Sequence, residues 1–341
     1  MTGAVRPRTP PPLISVLMPA HNARDTLAVA VDSILQQTVK DFELVLVDDG
    51  SDDGTGALAD AMATQDGRIR VVHTPHRGIV EALKHAASLA RAPLLARMDA
   101  DDVSLPGRFA AQLGLFDTDS GLALCGGLVR MAGTGIGSGR RRYEKWINGL
   151  LSHEDMVREI FVECPLPHPT FMMRRDTFLE VGGYQDHGWP EDYDLVMRLW
   201  RAGVRFAKPA EPVLEWREHP RRLSMTDGRY SETAFRALKR RYLFGSGMMT
   251  SRLFLQWGAG EVGKRWLREW GAAVPAAVVD INPRKIGRTI HGVPVIPPEQ
   301  LPPPEEVFIV VAVGSPGARD EIRDWFGPRG YTEGLDFLFL A

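Results

Sequence analysis

Cysteine and long apolar runs are both scarce in this sequence of 341 residues. Only two cysteines occur, Cys125 and Cys164, which excludes the disulfide framework of small secreted proteins and predicts a reduced, cytoplasmic setting. No apolar run approaches the ~20 residues of a membrane-spanning helix, so we expect no membrane insertion. Residues 1–12 lack the apolar centre of a signal peptide and are expected to form a disordered leader.

An excess of charge of one sign is also missing. The 41 Lys and Arg residues are balanced by 43 Asp and Glu residues, which leaves a formal net charge of −2 and excludes a globally basic nucleic-acid-binding protein. Basic residues do cluster locally, at 140–142, at 217 with 221 and 222, and at 239–241. Each cluster is either a solvated surface or a phosphate-binding face. The sequence carries no signal for an oligomeric state.

The first third of the chain alternates between strand and helix patterns. The predicted strands, which are short and rich in strand formers, are 13–18, 42–47, 70–72 and 94–98. The predicted helices between them are 25–37, 55–65 and 79–90. Continuous apolar strands that alternate with helices are typical of a parallel sheet buried on both faces. We therefore predict an α/β fold.

Each of the four predicted strands ends in residues that could bind a ligand. In chain order these are His21-Asn22, Asp48-Asp49, His76-Arg77 and the run from Asp99 to Asp102. Ligands of open α/β sheets bind beyond the carboxyl ends of the strands. It is improbable that all four strands end in such residues by chance, so the sequence predicts one binding site at this edge of the sheet.

The run Asp99-Ala100-Asp101-Asp102 places three carboxylates at one strand end, where they repel one another unless a cation lies among them. Mg²⁺ and Mn²⁺ take oxygen ligands and bridge to substrate phosphates. Asp102 and Ser104 have a second interpretation, because either can cap the helix that follows. We expect Asp102 to be the helix cap, and Asp99 and Asp101 to form the metal site with its phosphate-bearing ligand.

A domain boundary is predicted at Gly245-Ser246-Gly247, where a basic helix from Tyr230 to Phe244 ends. We expect one domain over residues 13–245 and a second over residues 250–341.

The second domain carries a glycine motif. Gly258, Gly260 and Gly263 have the spacing G-x-G-x-x-G between a predicted strand and a predicted helix, and Asp280 ends the next strand. This predicts a smaller Rossmann-like α/β domain, although its length suffices for only half of a doubly wound fold. Nucleotide binding, docking of a partner and packing on the first domain remain open as its role.

Four stretches of the first domain together resemble the family 2 glycosyltransferases with the GT-A fold. They are Val16 to Asn22, Leu44 to Thr55, Arg97 to Arg108 and Gly188 to Leu199. Each stretch alone is weakly specific, but their order along the chain is specific. The resemblance implies the GT-A nucleotide-sugar-binding fold, an inverting sugar transfer, a UDP-sugar donor and a divalent metal, Mn²⁺ or Mg²⁺.

The same resemblance implies roles for residues on the donor side. These are nucleoside contacts by Pro19, His21 and Asn22, a base contact by Asp49, a nucleotide-sugar contact by Asp99 and metal binding by Asp101. His219 lies where the family often has a histidine near the metal; a structural or exposed histidine is the alternative. Arg77 is expected either to reach the diphosphate or to form a plain surface turn.

On the acceptor side, Glu191-Asp192 matches the glutamate–aspartate pair of the family, whose aspartate is the usual general base. An inverting transfer needs one carboxylate to deprotonate the acceptor hydroxyl as it attacks the anomeric carbon. The alternative is that the pair only compensates the dipole of the helix it begins. His168 and Trp189 fall in the region that usually shapes the acceptor pocket, with simple packing as the alternative.

The domain order adds a narrower resemblance. A GT-A domain followed by a short Rossmann-like unit, with Trp146-Ile147-Asn148 between the motifs, looks like the N-acetylglucosaminyltransferase-like proteins of animals. That group includes the galactosyltransferase that modifies queuosine in tRNA, which implies UDP-galactose as donor and tRNA as acceptor. The chain departs from the group at Ala100, where the group has serine. The other hypotheses are a transferase for a cell-surface polysaccharide or a small metabolite, and a dinucleotide-dependent or nucleotide-sensing protein.

Overall fold

A computed structural model of the chain describes residues 10–133, 136–220, 222–248 and 252–341. Of the predicted leader, residues 1–9 lie outside this description. The described residues form two compact units. The first unit contains the chain up to residue 153 together with 166–187 and 198–225, and the second contains 154–165, 188–197 and 226–341.

The two units are built from strands and α-helices, with a few short 3₁₀ turns. The strands are β1 (Ile14–Ala20), β2 (Phe42–Asp49), β3 (Ile69–Thr74), β4 (Leu94–Arg97), β5 (Val103–Ser104), β6 (Leu122–Cys125), β7 (Leu128–Ala132), β8 (Met172–Arg174), β9 (Arg205–Ala207), β10 (Pro212–Arg217), β11 (Leu253–Trp257), β12 (Ala277–Val279), β13 (Thr289–Ile290), β14 (Val293–Ile296), β15 (Val307–Val311) and β16 (Phe337–Phe339). The helices are α1 (Arg24–Leu35), α2 (Thr55–Gln65), α3 (Ile79–Leu89), α4 (Arg108–Thr118), α5 (Ser138–Gly149), α6 (His153–Glu159), α7 (Arg175–Glu180), α8 (Glu191–Arg201), α9 (Leu223–Thr226), α10 (Glu232–Gly245), α11 (Glu261–Glu269) and α12 (Ala318–Phe326).

The first unit has a seven-stranded sheet in the order β3-β2-β1-β4-β8-β6-β9. The four strands predicted from the sequence pair in parallel, with Val16 opposite both Leu44 and Ala96. β1 and β2 are buried along their whole length, as expected for strands covered on both faces. The predicted α/β fold is confirmed.

The second half of that sheet was not anticipated from the sequence. β8 runs antiparallel to β4 and to β6, and β6 pairs in parallel with β9. These strands have only three or four residues, too few to produce a periodic pattern. A separate small sheet, β5-β10-β7, brings β10 next to the strand that follows the aspartate run.

The second unit has a six-stranded sheet in the order β13-β14-β12-β11-β15-β16, parallel except for the β13–β14 pair. The glycine motif lies between β11 and α11. Gly258 has a φ of +112°, and a Cβ on Gly263 would lie 1.9 Å from the Gly258 carbonyl oxygen. Both positions therefore require glycine for backbone reasons alone.

The second unit also includes two segments from the middle of the chain, 154–165 and 188–197. Glu159 of α6 forms ion pairs with Arg319 and Arg323 of α12, and its contact with Arg319 is especially short. Val162 packs against the apolar core of the second sheet. None of the helices in the described ranges combines the length and apolarity needed to span a lipid bilayer.

Candidate active site

The loops after β1 and β2 are joined by hydrogen bonds at the carboxyl edge of the first sheet. The Asn22 amide N–H donates to Ser51 Oγ at 2.9 Å, and Asn22 Oδ1 accepts from the Asp52 amide at 3.0 Å. Asn22 adopts a left-handed φ of +50°, which asparagine tolerates better than most residues. Pro19, the first of the predicted nucleoside contacts, is buried within β1 opposite Val47.

Asp49 anchors the loop after β3. Its Oδ1 accepts the Arg77 amide N–H at 2.9 Å, and its Oδ2 accepts the Gly78 amide N–H at 2.8 Å. The His76 ring lies 2.9 Å from the same Oδ2, and the carboxylate is almost fully buried. A buried carboxylate held by two backbone amides fixes the position of Arg77, which lines a cavity of about 380 Å³ next to Asp49.

Two exposed histidine rings stack above this edge. His21 and His76 have ring centroids 4.0 Å apart and an interplanar angle of 23°. Both Nδ1 atoms contact the Asp49 carbonyl oxygen, at 2.8 Å for His21 and 3.1 Å for His76. The structure thus brings His21, Asp49 and Arg77 together at the strand ends, as the sequence predicts.

The aspartate run follows β4, where Asp99, Asp101 and Asp102 each offer an oxygen within 4.8 Å of the others. Asp101 Oδ2 lies 2.8 Å from His219 Nε2, so the structure brings together the two residues predicted to bind the metal. Asp99 forms a short ion pair with Arg97, which is buried beneath it. The sequence predicts no role for Arg97, the residue that ends the buried strand β4.

Asp102 is not a helix cap, and that prediction was wrong. α4 begins six residues later, and its N-cap residue is Gly107 with no side-chain hydrogen bond. Asp102 is instead buried, and its Oδ1 accepts the Arg217 amide N–H of β10 at 2.8 Å. This bond holds the chain that leads to His219. The two-residue strand β5 follows Asp102 directly and displaces the helix start.

The electrostatics of the cluster favour a cation. Burial, and then repulsion from Asp101, raises the pKa of Asp99, which the Arg97 guanidinium partly offsets. Burial and the charges of Asp99 and Asp101 raise the pKa of Asp102 well above its usual value. Asp102 Oδ2 is buried with no hydrogen-bond partner. Three carboxylates that can supply oxygen ligands, one of which has an oxygen without a hydrogen-bond partner, fit a hard divalent cation such as Mg²⁺ or Mn²⁺.

Glu191 and Asp192 begin α8 and belong to the second unit. The Tyr230 hydroxyl donates to both oxygens of Glu191, at 3.0 Å and 2.9 Å, and the Arg229 guanidinium lies 3.9 Å away. Glu191 is fully buried, and this burial, with the charge of Asp192, raises the pKa of Glu191 to about 7. A carboxylate that titrates near neutrality next to a second carboxylate is an arrangement suited to proton transfer.

The two residues predicted for the acceptor side have structural partners. Trp189 Nε1 donates to Asp194 Oδ1 at 3.0 Å within the second unit. His168 belongs to the first unit, is buried, and has its Nε2 2.8 Å from the Tyr184 hydroxyl. Burial and the nearby charge of Arg97 hold the pKa of His168 well below its usual range, so its ring is neutral.

Several side chains of the local basic clusters have partners within the protein. Arg140 binds both oxygens of Glu218, at 2.7 Å and 2.9 Å, and Arg141 pairs with Glu144 at 2.9 Å. Lys239 is buried and donates to two backbone carbonyls. Arg221 lies outside the described residues. Their contacts within the protein make Arg140, Arg141 and Lys239 less available to bind phosphates.

Asp280, which follows the strand after the glycine motif, has hydrogen-bond partners in the neighbouring loops. Its Oδ2 accepts the Ala259 amide N–H at 2.8 Å and contacts Lys285 Nζ at 3.1 Å, and its Oδ1 accepts the Asn282 amide N–H at 2.8 Å. A carboxylate with these partners supports the loop and has little capacity left for a ribose hydroxyl.

Comparison with known proteins gives a consistent picture. Residues 15–182 match the model of glycosyl transferase family 2. Over 233 residues the chain is 30% identical to the O-antigen biosynthesis glycosyltransferase WbnJ of Escherichia coli. This alignment covers 67% of the chain and 88% of WbnJ. It is 28% identical over 208 residues to the amylovoran biosynthesis glycosyltransferase AmsE of Erwinia amylovora, covering 60% and 76% of the two chains.

A solved structure shares the fold. Residues 1–349 of S. aureus TarS, in complex with UDP-GlcNAc, superimpose with a TM-score of 0.55 at 15% sequence identity. The match covers 68% of this chain and 65% of the TarS chain. At this identity the likeness establishes the fold only, and it agrees with the GT-A architecture predicted from the four motif stretches.

Proposed function

The chain belongs to glycosyl transferase family 2, and from that premise we propose that it transfers a sugar from a nucleotide-sugar donor to a hydroxyl of a cell-surface polysaccharide. The relatives named above support this acceptor class, because O-antigen and amylovoran biosynthesis appear in their names. A tRNA acceptor has less support, since the names of these relatives refer to polysaccharides and several side chains of the basic clusters have partners within the protein. UDP-galactose stays the first donor to test.

The observation that carries the proposal is the aspartate cluster with its histidine. Asp101 and His219 would hold a divalent cation, with Asp99 next to the sugar nucleotide. When bound, the cation supplies positive charge for the departing diphosphate. Asp102 keeps the backbone of Arg217 in place and so aligns His219 with Asp101. Asp49 fixes Arg77, whose guanidinium we assign to the donor diphosphate.

We assign the general base to Asp192. Its carboxylate accepts the proton of the acceptor hydroxyl while the hydroxyl oxygen attacks the anomeric carbon, and the bond from that carbon to the diphosphate breaks. The products are the lengthened glycan with inverted anomeric configuration, the nucleoside diphosphate and a protonated Asp192. Buried Glu191 next to it contributes negative charge that favours proton uptake by Asp192.

A donor and acceptor panel tests the proposal. The full chain is incubated with UDP- and GDP-sugars, Mn²⁺, and either oligosaccharides of bacterial surface polysaccharides or tRNA with and without queuosine. We expect label in an oligosaccharide. Label that appears only in queuosine-containing tRNA would overturn the polysaccharide assignment and leave the transferase intact.

Asp101→Ala tests the donor site, with exposed Asp117→Ala as its matched control. We expect Asp101→Ala to abolish Mn²⁺-dependent binding of the nucleotide, measured by calorimetry, because it removes a carboxylate ligand. Asp117→Ala should bind as the unsubstituted protein does. Unaltered nucleotide binding by Asp101→Ala would remove Asp101 from the metal site.

A further inference from the structure

The turn that carries Glu191 is held by a tyrosine from a distant part of the chain. Tyr230 ends a short 3₁₀ turn, Gly228–Tyr230, directly before α10. Asp227 caps this turn by accepting the Arg229 amide N–H at 2.8 Å. The turn therefore presents the Tyr230 hydroxyl and the Arg229 guanidinium to the same carboxylate in a fixed arrangement.

The hydroxyl is a reliable hydrogen-bond donor at this position. Burial and the charges of Glu191 and Asp192 raise the pKa of Tyr230 well above its usual value, so the phenol keeps its proton. Its contacts with Glu191, at 2.9 Å and 3.0 Å, lie in the normal range for hydrogen bonds to a carboxylate. The contact is partly buried and Glu191 itself is fully buried, which strengthens a hydrogen bond relative to one in water.

A second tyrosine supports the next part of the same helix through Asp194. The Tyr242 hydroxyl, from α10, donates to Asp194 Oδ1 at 2.8 Å. α10 is tied in turn to the end of the second sheet, because Lys239 Nζ donates to the carbonyls of Val162 and Leu340 at 2.7 Å and 3.1 Å. Side chains of α10 thus connect the start of α8 to the end of the second sheet within the second unit.

We propose that Tyr230 is a positioning residue of the transfer reaction: its hydroxyl fixes the Glu191 carboxylate and sets the charge that Glu191 presents to Asp192. This inference rests on the proposed function, in which Asp192 is the general base. It also gives the second unit a role in catalysis that requires no bound nucleotide. Tyr230 acts through Glu191 and need not touch the substrate.

The charged groups that face Glu191 within the second unit determine the sign of the effect. Burial and Asp192 raise the pKa of Glu191, whereas the Tyr230 hydrogen bond and the Arg229 charge lower it, with a net value of about 7. Removing the hydroxyl removes stabilisation of the ionised form. The pKa of Glu191 then rises by about one unit, because that shift corresponds to the free energy that a hydrogen bond contributes to a charged group.

The test is the pH dependence of kcat/KM for Tyr230→Phe, which keeps the ring and removes only the hydroxyl. We expect the midpoint of the acidic limb to move up by about one pH unit, which means about a fivefold loss of rate at pH 7 and recovery at higher pH. Tyr242→Phe is the matched control: it removes a hydrogen bond from Asp194 and should leave the midpoint unchanged.

A uniform loss of rate at every pH, or a profile that superimposes on that of the unsubstituted protein, would overturn the proposal. If Tyr230→Phe fails to fold, Arg229→Gln replaces it, because loss of that positive charge moves the midpoint in the same direction. The rate at neutral pH should also be lower in this variant.

Infrared spectroscopy separates this inference from the proposed function. The C=O stretch of protonated Glu191, identified by its loss in Glu191→Gln, should persist to higher pH in Tyr230→Phe. If no acceptor in the panel is glycosylated but this band still shifts, the contact stands and the assigned reaction fails. If transfer occurs but the band does not shift, Tyr230 does not control Glu191.

Discussion

Replacing Asp49 with alanine distinguishes two roles for this carboxylate. The resemblance assigns Asp49 to the nucleobase, whereas the structure shows it accepting the amide N–H groups of Arg77 and Gly78 at 2.9 Å and 2.8 Å. If the loop contacts dominate, Asp49→Ala must destabilise the folded protein even without a nucleotide. If Asp49 only contacted the nucleobase, its replacement would leave the free energy of unfolding of the nucleotide-free protein unchanged.

The magnitude follows from these two contacts. Hydrogen bonds to a charged group contribute about 1.5–3 kcal/mol each, so complete loss of both would cost about 3–6 kcal/mol. The half-exposed loop can recover part of this by binding water, and we expect a loss of about 3 kcal/mol. For a unit of this size, that lowers the unfolding temperature by about 6–12 °C. Local opening of the loop should become about a hundredfold more frequent.

Calorimetry and hydrogen-exchange mass spectrometry of the peptide that contains Arg77 measure the two effects. Asp49→Asn keeps one acceptor oxygen and should lose about half as much stability. Asp52→Ala, at an exposed position in the neighbouring loop, should stay within about 0.5 kcal/mol of the unsubstituted protein. An Asp49→Ala protein with unchanged unfolding temperature and unchanged exchange near Arg77 would refute the anchoring role.

Two further predictions concern stability. Gly263→Ala should destabilise the second unit by about 3 kcal/mol, seen as a lower unfolding temperature, because its Cβ would lie 1.9 Å from the Gly258 carbonyl oxygen; an unchanged temperature would contradict this packing. His73 contacts Asp48 and Asp60, and these carboxylates raise the pKa of His73. The ion pairs therefore stabilise the protein fully below the ordinary pKa of histidine, and this stabilisation is lost as the pH rises through the raised pKa of His73. His73→Gln should therefore lower the unfolding temperature more at pH 6 than at pH 9, and an equal effect at both would contradict the ion pairs.

The parallel half of the first sheet could be predicted because its signals are local. β1 and β2 are long, apolar and buried, and the polar residues at their ends follow directly in the sequence. The aspartate run is equally local, and Asp101 meets His219 as expected. Short strands such as β8, with three residues, have no period to detect and become strands only through pairing with β4 and β6.

Long-range partners account for what the sequence could not reveal. Asp102 has the residue type of a helix cap, but its hydrogen-bond partner lies 115 residues away, at Arg217. Tyr230 appears in the sequence only as the start of a basic helix, and its contact with Glu191 spans 39 residues. Rules for helix caps use only the next few residues of the chain, so they cannot detect a hydrogen-bond partner that lies far away in the sequence.

The interleaved chain path of the second unit has a consequence for the order of events during synthesis. Glu159 pairs with Arg323 across 164 residues, and Lys239 binds the carbonyl of Leu340 across 101. Domains fold from the N-terminus as the chain emerges from the ribosome, so residues 154–165 complete their packing only after Arg323 has been synthesised. The parallel half of the first sheet can thus form early, while the turn bearing Glu191 reaches its environment only after Tyr230 has been synthesised.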